Sequence, residues 1–361
     1  MSQTMQIPLA ARLDRLARWF KRENERPLLG FYIGSQYPLH CYPGCRKHLP
    51  NGVVQLEDVV VTDFLADSDR QFELYERTGG DLIWSASPFC GLPWVEATLG
   101  CTVIADHAVG STRTSPPARF AAHPVIPEFS ANNPWFQKLL EFFPVLEARS
   151  AGRYMVGVTL MRGISDLLSA LYGGENFLFH MIDTPEKVKE VAERLTDYWI
   201  KFGQAMLEHT PSAHGGTAAF FYSIWCPGRT IWMQEDAAAL LSPELYEQFI
   251  LPCNRRIAGA FEHTVMHLHP TRFNPVDYLL EMGIDVIEMH IDKGGPTAEQ
   301  LFQTHLKVLA RKPLLIWGDL SEADLDFVLA NLPHPGLAIS VVVESPEQAA
   351  RYWGKLANAR K

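Results

Sequence analysis

Several things are scarce in this chain. Cysteine is one: six residues in 361, with no CxxC spacing, are too few for a disulfide scaffold. Long apolar runs are another. The longest, around Ala218 to Trp225, falls well short of the roughly 20 residues of a membrane span. The start, Met1 to Arg26, mixes Arg with acids and lacks the apolar core of a secretory signal. It predicts an N-terminal helix on a cytoplasmic protein that spans no membrane. Positive charge is in deficit, 32 Lys and Arg against 41 Asp and Glu, for a formal net charge of −9. That argues against nucleic acid as a partner, because phosphate contacts need a clustered basic face. It leaves room for an anionic small molecule, which needs only a few local cations. Repeats, low-complexity stretches and long charge runs are missing, so no linker is expected and residues 1–361 read as one domain. A glycine-rich G-x-G-x-x-G turn is missing too, which removes the usual signature of an open, doubly wound nucleotide-binding sheet.

What is present is alternation. Short apolar or β-branched runs predict strands at Pro27–Gly34, Asp81–Ser87, Met155–Met161, Thr217–Trp225, Thr264–His269, Asp285–Ile291, Pro313–Gly318 and Leu337–Glu344. Helical patterns lie between them and carry good start signals. Thr184-Pro185-Glu186, Ser242-Pro243-Glu244 and Ser345-Pro346-Glu347 each place Pro at the first helical position. Ser321-Glu322-Ala323-Asp324 has the form of a capping box. Eight such units predict an α/β fold, a (β/α)8 TIM barrel with insertions near its N-terminus. The surplus length falls in two long connections, residues 35–80 and 88–150, expected over the barrel mouth.

Barrels of this kind carry their chemistry at the C-terminal ends of the strands. The predicted ends hold Arg162, Tyr222 to Trp225, His267, His269, His290, Asp292, Asp319 and Glu344. Four of the thirteen histidines fall between His263 and His290. Alternate residues on a strand share a face, so His267 and His269 point together, as do Glu288, His290 and Asp292 on the next strand. Neutral imidazoles with a carboxylate suit a catalytic Zn²⁺ site, which takes about three protein ligands and keeps one position open. The expected ligands are His267, His269 and Glu344, and the expected catalytic residues are His267, His290 and Asp319. Tyr222, Trp225 and Trp84 offer aromatic walls for a small-molecule substrate. Arg162 and Arg272, with Arg229 behind them, could bind an anionic group. The loop His40-Cys41-Tyr42-Pro43-Gly44-Cys45 carries a CxxxC that is a weaker metal candidate.

Several stretches, in order, resemble the uroporphyrinogen decarboxylase superfamily. Tyr75 to Asp81 looks like the end of a family helix leading into strand two. Leu92 to Gly100 is similar to a short loop ending in Leu-Gly. Ile164 to Asp183, followed by Pro185 and Glu186, resembles a characteristic helix pair. Leu241 to Tyr246 with Leu251-Pro252, and His267 to Asp285, match two further segments. The likeness spans about residues 70–350 and implies the same barrel.

Within that superfamily, the decarboxylases hold substrate carboxylates with Arg residues in the loop after strand one. Here that loop reads Ser35-Gln36-Tyr37-Pro38-Leu39-His40, without Arg. The methyltransferase branch binds Zn²⁺ through His-x-Cys and a later Cys, and works with a corrinoid carried on a partner protein. His267 stands at the His and His269 at the first Cys, while Glu344 lies near the second. The resemblance therefore implies a metal-dependent methyltransferase with a harder, N/O ligand set, acting on a small molecule and forming a homodimer. The alternatives are a decarboxylase of a porphyrinogen or other polycarboxylate, and a non-catalytic binding barrel.

Overall fold

The computed structural model describes residues 7–117, 123–219 and 221–358. Seven parallel strands make the central sheet: β1 (Leu28–Ile33), β2 (Met161–Arg162), β3 (Thr230–Gln234), β4 (His263–Leu268), β5 (Val286–Ile291), β6 (Leu314–Gly318) and β7 (Leu337–Val343). Their order is β1-β7-β6-β5-β4-β3-β2. The strands from β4 to β7 are almost wholly buried, and their near-continuous apolar sequences are those of strands covered on both faces. From β1 the backbone hydrogen bonding passes on through Asp81 N–H to Leu29 O at 2.8 Å. Ser85–Ala86 then pairs in parallel with Met155–Val156, a few residues before β2. The outline is barrel-like. Where the sequence predicted full second and third strands, this short pair, β2 and a single parallel bridge from Val158 to Ala219 carry the pairing among the described residues.

The largest departure is at the predicted fourth strand. Thr217–Trp225 is not one strand but most of an antiparallel hairpin, Gly216–Ala219 against Ile224–Pro227. Phe220 lies outside the described residues. The chain turns at Ser223, whose φ is +51°, and the Ser223 carbonyl accepts the Ile83 N–H at 2.8 Å. The hairpin tip is packed inside: Phe221 stacks on Trp317 with ring centroids 4.8 Å apart, and Tyr222 lies 5.7 Å from the His267 ring. The wall strand that follows is β3, some ten residues later than the sequence suggested.

Helices cover the sheet. The predicted N-terminal helix runs as α1 (Leu9–Phe20), which buries Leu16 and Trp19; the Trp19 indole donates to Gly336 O at 2.9 Å. Helix α2 (Ile164–Tyr172) follows β2, and α3 (Glu322–Asn331) follows β6. At α3 the predicted capping box is formed on both sides: Ser321 Oγ accepts the Asp324 N–H, and Asp324 accepts the Ser321 N–H, each at 3.1 Å. Ser321→Ala is expected to lower the unfolding free energy by about 1 kcal/mol, as for other helix N-caps. Denaturant unfolding checks this, and an unmoved midpoint would contradict it.

The two long connections meet in a three-stranded antiparallel sheet, Gly52–Val54, Thr102–Asp106 and Ser111–Ser115. Residues from both, Gln36 to Pro38 and Cys90 to Glu96, line a cavity with the ends of β2, β3, β4 and β5. Among the described residues no helix is long and apolar enough to cross a membrane.

Candidate metal centre

Adjacent parallel strands bring the site together. In the β4–β5 ladder His267 stands beside Glu288, and in the β3–β4 ladder Gln234 stands beside His267. Side chains two apart keep to one face, so His269 follows His267, and His290 and Asp292 follow Glu288, on the same side. Asp236 does the same beyond β3. The His267 Nδ1 contacts Glu288 Oε2, and His269 Nδ1 lies 2.7 Å from Asp292 Oδ2. On the far side of both rings, Asp236 Oδ1 is 3.5 Å from His267 Nε2 and 3.8 Å from His269 Nε2. Gln234 Nε2 donates to the other Asp236 oxygen at 2.7 Å. His290 completes the cluster, its ring centroid 4.6 Å from His269 and 5.8 Å from His267.

Three overlapping groups have donor atoms within 4.8 Å of one another: Asp236–His267–His269, His267–Glu288–His290 and His269–His290–Asp292. Four buried polar atoms here lack a hydrogen bond: Asp236 Oδ1, Glu288 Oε1 and both ring nitrogens of His290. Orphaned buried donors and acceptors are costly, and their convergence fits a divalent cation. Bonds of about 2.0–2.2 Å in a tetrahedral Zn²⁺ site put its ligand atoms about 3.3–3.6 Å apart. The separations from Asp236 to the two imidazoles are close to that. The carboxylates behind the Nδ1 atoms complete the pattern, since metal-bound histidines characteristically donate their other N–H to a carboxylate or carbonyl.

The electrostatics differ among the three rings. Burial pushes His267 down to about 4, against the pull of the Asp236 charge. His269 is raised to about 9, because the Asp292 hydrogen bond and the Asp236 charge outweigh its burial. Burial, then the neighbouring His267 and His269, hold His290 well below the ordinary histidine range. Burial raises Glu288. Metal must displace protons from its ligands. His267 is already neutral at pH 7, whereas His269 has one proton to lose. Zn²⁺ affinity is therefore expected to rise with pH, by up to about tenfold per unit, and to level off above pH 9. Competition with a chromophoric chelator between pH 6 and 9 measures this; a flat profile would contradict the ligand set.

The other expected residues divide. Arg162 lines the cavity, its Nη1 donating to Glu96 Oε1 at 3.0 Å. Tyr222 is buried beside His267, behind the lining residues. Asp319 is half-buried outside the cavity lining and accepts the Gln36 side-chain amide at 3.1 Å, so it holds a residue that does line it. Its carboxyl is raised, chiefly by burial.

Four expectations need correction. Glu344 is exposed, and its N–H donates to Gln348 Oε1 at 2.9 Å. It follows β7, two strands from β5, which is about 10 Å at the usual strand spacing of about 4.8 Å. The carboxylate facing the histidines is Asp236. Trp225 and Trp84 are not at the mouth: the Trp225 indole donates to Ala213 O at 2.7 Å, and Trp84 packs on Phe72 and Tyr154. Arg272 is exposed in the loop after β4 and does not line the cavity. Cys41 and Cys45 are buried, with thiols directed at Ser35 O and Tyr42 O and pushed up by burial, and neither joins a donor cluster among the described residues.

Sequence reasoning passed over Asp236, Gln234 and Glu96. The apolar run Thr230–Met233 followed by Gln-Glu-Asp was the available signal for the first two. Glu96 sits on a short helix in the second insertion, and nothing local marks it.

No protein-family model matches this sequence, and no curated protein matches it. Among solved structures, the chain is similar to a methyltransferase from Methanosarcina mazei, with a TM-score of 0.61 over 97% of each chain and 13% sequence identity. A β-mannanase from Bacteroides ovatus aligns at a TM-score of 0.30 and 13% identity, over 94% of this chain and 86% of its own, too distant to support any argument. The first likeness is one of fold along the whole length.

Proposed function

We propose that this chain is a metal-dependent, methyltransferase-like enzyme of the uroporphyrinogen decarboxylase superfamily, moving a methyl group between a corrinoid or other small carrier and a small substrate. The observation that supports it most is the donor set of Asp236, His267 and His269, backed by Glu288 and Asp292, at the inner end of a cavity of about 280 Å³. A bound Zn²⁺ would supply Lewis acidity there, lowering the pKa of a nucleophilic group on the substrate. Asp236 and the two imidazoles would hold the ion, with Glu288 and Asp292 fixing the rings. Leu92, Trp94, Leu160, Met161 and Phe221 give the apolar lining, and Gln36 adds a neutral polar group to it.

The same cavity disfavours a polycarboxylate substrate. Glu96, Asp236 and Asp292 line it, against Arg162 alone among the described Lys and Arg residues, and Arg162 already faces Glu96. Arg229 and Arg272 are exposed elsewhere. With an ion taken up by Asp236 and the imidazoles, one arginine already facing Glu96 is too few to clamp a substrate with several carboxylates.

The test combines metal analysis with turnover. Purified protein should carry about one divalent ion per chain. It should also demethylate methylcobalamin, followed by absorbance, in the presence of a panel of small thiols, alcohols and amines. Stoichiometric metal without turnover of any acceptor would favour a binding barrel. Turnover that survives complete removal of metal would overturn the metal-dependent reading.

A further inference from the structure

We propose that Asp166 is a positioning residue that fixes the direction of Asp236 through the main chain; the inference rests on the metal-centre reading above. Asp166 lies in the first turn of α2 and is 8% exposed. Its two carboxylate oxygens accept one N–H each, from Asp236 at 3.2 Å and from Ala237 at 2.7 Å. Glu235, between Gln234 and Asp236, reaches the other way. It is 1% exposed and accepts the N–H groups of Ile164 and Ser165, each at 3.0 Å, as well as the Ser165 hydroxyl. The end of β3 and the start of α2 are thus clasped by two buried carboxylates, each accepting from the main chain of the opposite segment. Gly163 makes room for the clasp: a Cβ there would lie 2.5 Å from Glu235 Oε1.

Helix capping alone does not require this. A neutral Ser or Asn caps a helix at little desolvation cost, whereas a buried carboxylate costs several kcal/mol unless well paired. Among the described residues neither Asp166 nor Glu235 has a salt bridge, although the Arg162 charge lies near Asp166. Two such groups stand at the junction that carries Asp236. With Gln234 holding Oδ2 and Asp166 holding the backbone, Asp236 Oδ1 is left facing His267 and His269. A ligand held in place before the ion arrives loses less freedom on binding.

The test uses full-length protein loaded with Zn²⁺ or Co²⁺. Asp166→Ala should weaken Zn²⁺ binding about 10- to 100-fold, as loss of a group supporting a ligand does. It should also shift the visible absorption of the Co²⁺ form while far-UV circular dichroism stays unchanged. Asp166→Asn keeps one acceptor oxygen and should lose less, about three- to tenfold. The double variant with Asp236→Ala should bind no more weakly than Asp236→Ala alone, because Asp166 acts only through that ligand. Additive losses, or an unchanged affinity and spectrum in Asp166→Ala, would overturn the positioning role. If Asp166→Ala does not fold, unchanged binding and spectrum in Asp166→Asn overturn it equally. Wild-type protein that binds neither ion would overturn the metal centre itself and the positioning role with it.

Discussion

Zn²⁺ affinity is expected to fall about 100- to 1,000-fold in His267→Ala, and the purified variant should retain little metal. The magnitude follows from sharing a typical binding free energy of about 10–16 kcal/mol among about four ligands, which leaves about 2.5–4 kcal/mol for each. Each of the three histidines belongs to two of the three donor groups, but His267 is the one that is both buried and neutral while its Nε2 faces Asp236 Oδ1. The ring is already neutral at neutral pH, held down to about 4 by burial, so no proton competition masks the loss. A second consequence is structural. Glu288 is fully buried and contacts His267 Nδ1, so the variant strands a carboxyl in the core. Metal-free His267→Ala should therefore melt below metal-free wild type. Equilibrium dialysis or chelator competition measures the first effect and thermal unfolding the second. Zn²⁺ binding within a few-fold of wild type would remove His267 from the ligand set.

The histidines were legible because alternation along a strand is a local rule. His267, Glu288 and His290 lie within their elements, whose observed bounds differ from the predicted ones by a residue or so. The order of the last four strands, each next to its sequence neighbour, is what parallel β-α-β connections ordinarily give. Asp236 was hidden by a different kind of feature. Two apolar runs follow one another, Thr217–Trp225 and Thr230–Met233, and the first is richer in aromatic residues. The turn between the hairpin strands lies at Phe221–Ser223, without the Gly, Asn or Pro that usually marks one, so the run reads as a single strand. Assigning the wall strand to the first run placed the fourth mouth position at Tyr222 to Trp225 rather than at Asp236. Glu344 failed for a topological reason: being at a strand end says nothing about which ends are neighbours. The tryptophans Trp84 and Trp225 were expected as substrate walls because they fall in predicted strands, but a strand assignment does not say at which end of the sheet a ring lies.

Asp236→Ala is expected to weaken Zn²⁺ binding by about 100-fold or more, and His290→Ala by less than about tenfold, which decides where in the cluster the ion sits. Two arguments favour the group that includes Asp236. The first concerns access. The Asp236 side chain is 40% exposed and His269 is 26% exposed, whereas His267, Glu288 and His290 are each 4% or less. A catalytic ion keeps a position open for substrate, and the side chains of the inner group are almost wholly buried. The second concerns the rings' other nitrogens. Both His267 and His269 have Nδ1 engaged by a carboxylate, which leaves Nε2 as the free donor, and both Nε2 atoms face Asp236 Oδ1. An ion among His267, Glu288 and His290 would have to take the Glu288 carboxylate away from the imidazole it supports. The measurement is best made at pH 9. Removing Asp236 also removes one of the charges that raise His269, which eases proton competition and conceals part of the loss at pH 7. The reverse pattern, with His290→Ala severe and Asp236→Ala mild, would put the ion in the closed inner group. It would then sit among side chains with almost no exposed surface, and the methyl-transfer reading would lose the open position at which a substrate nucleophile could meet the metal.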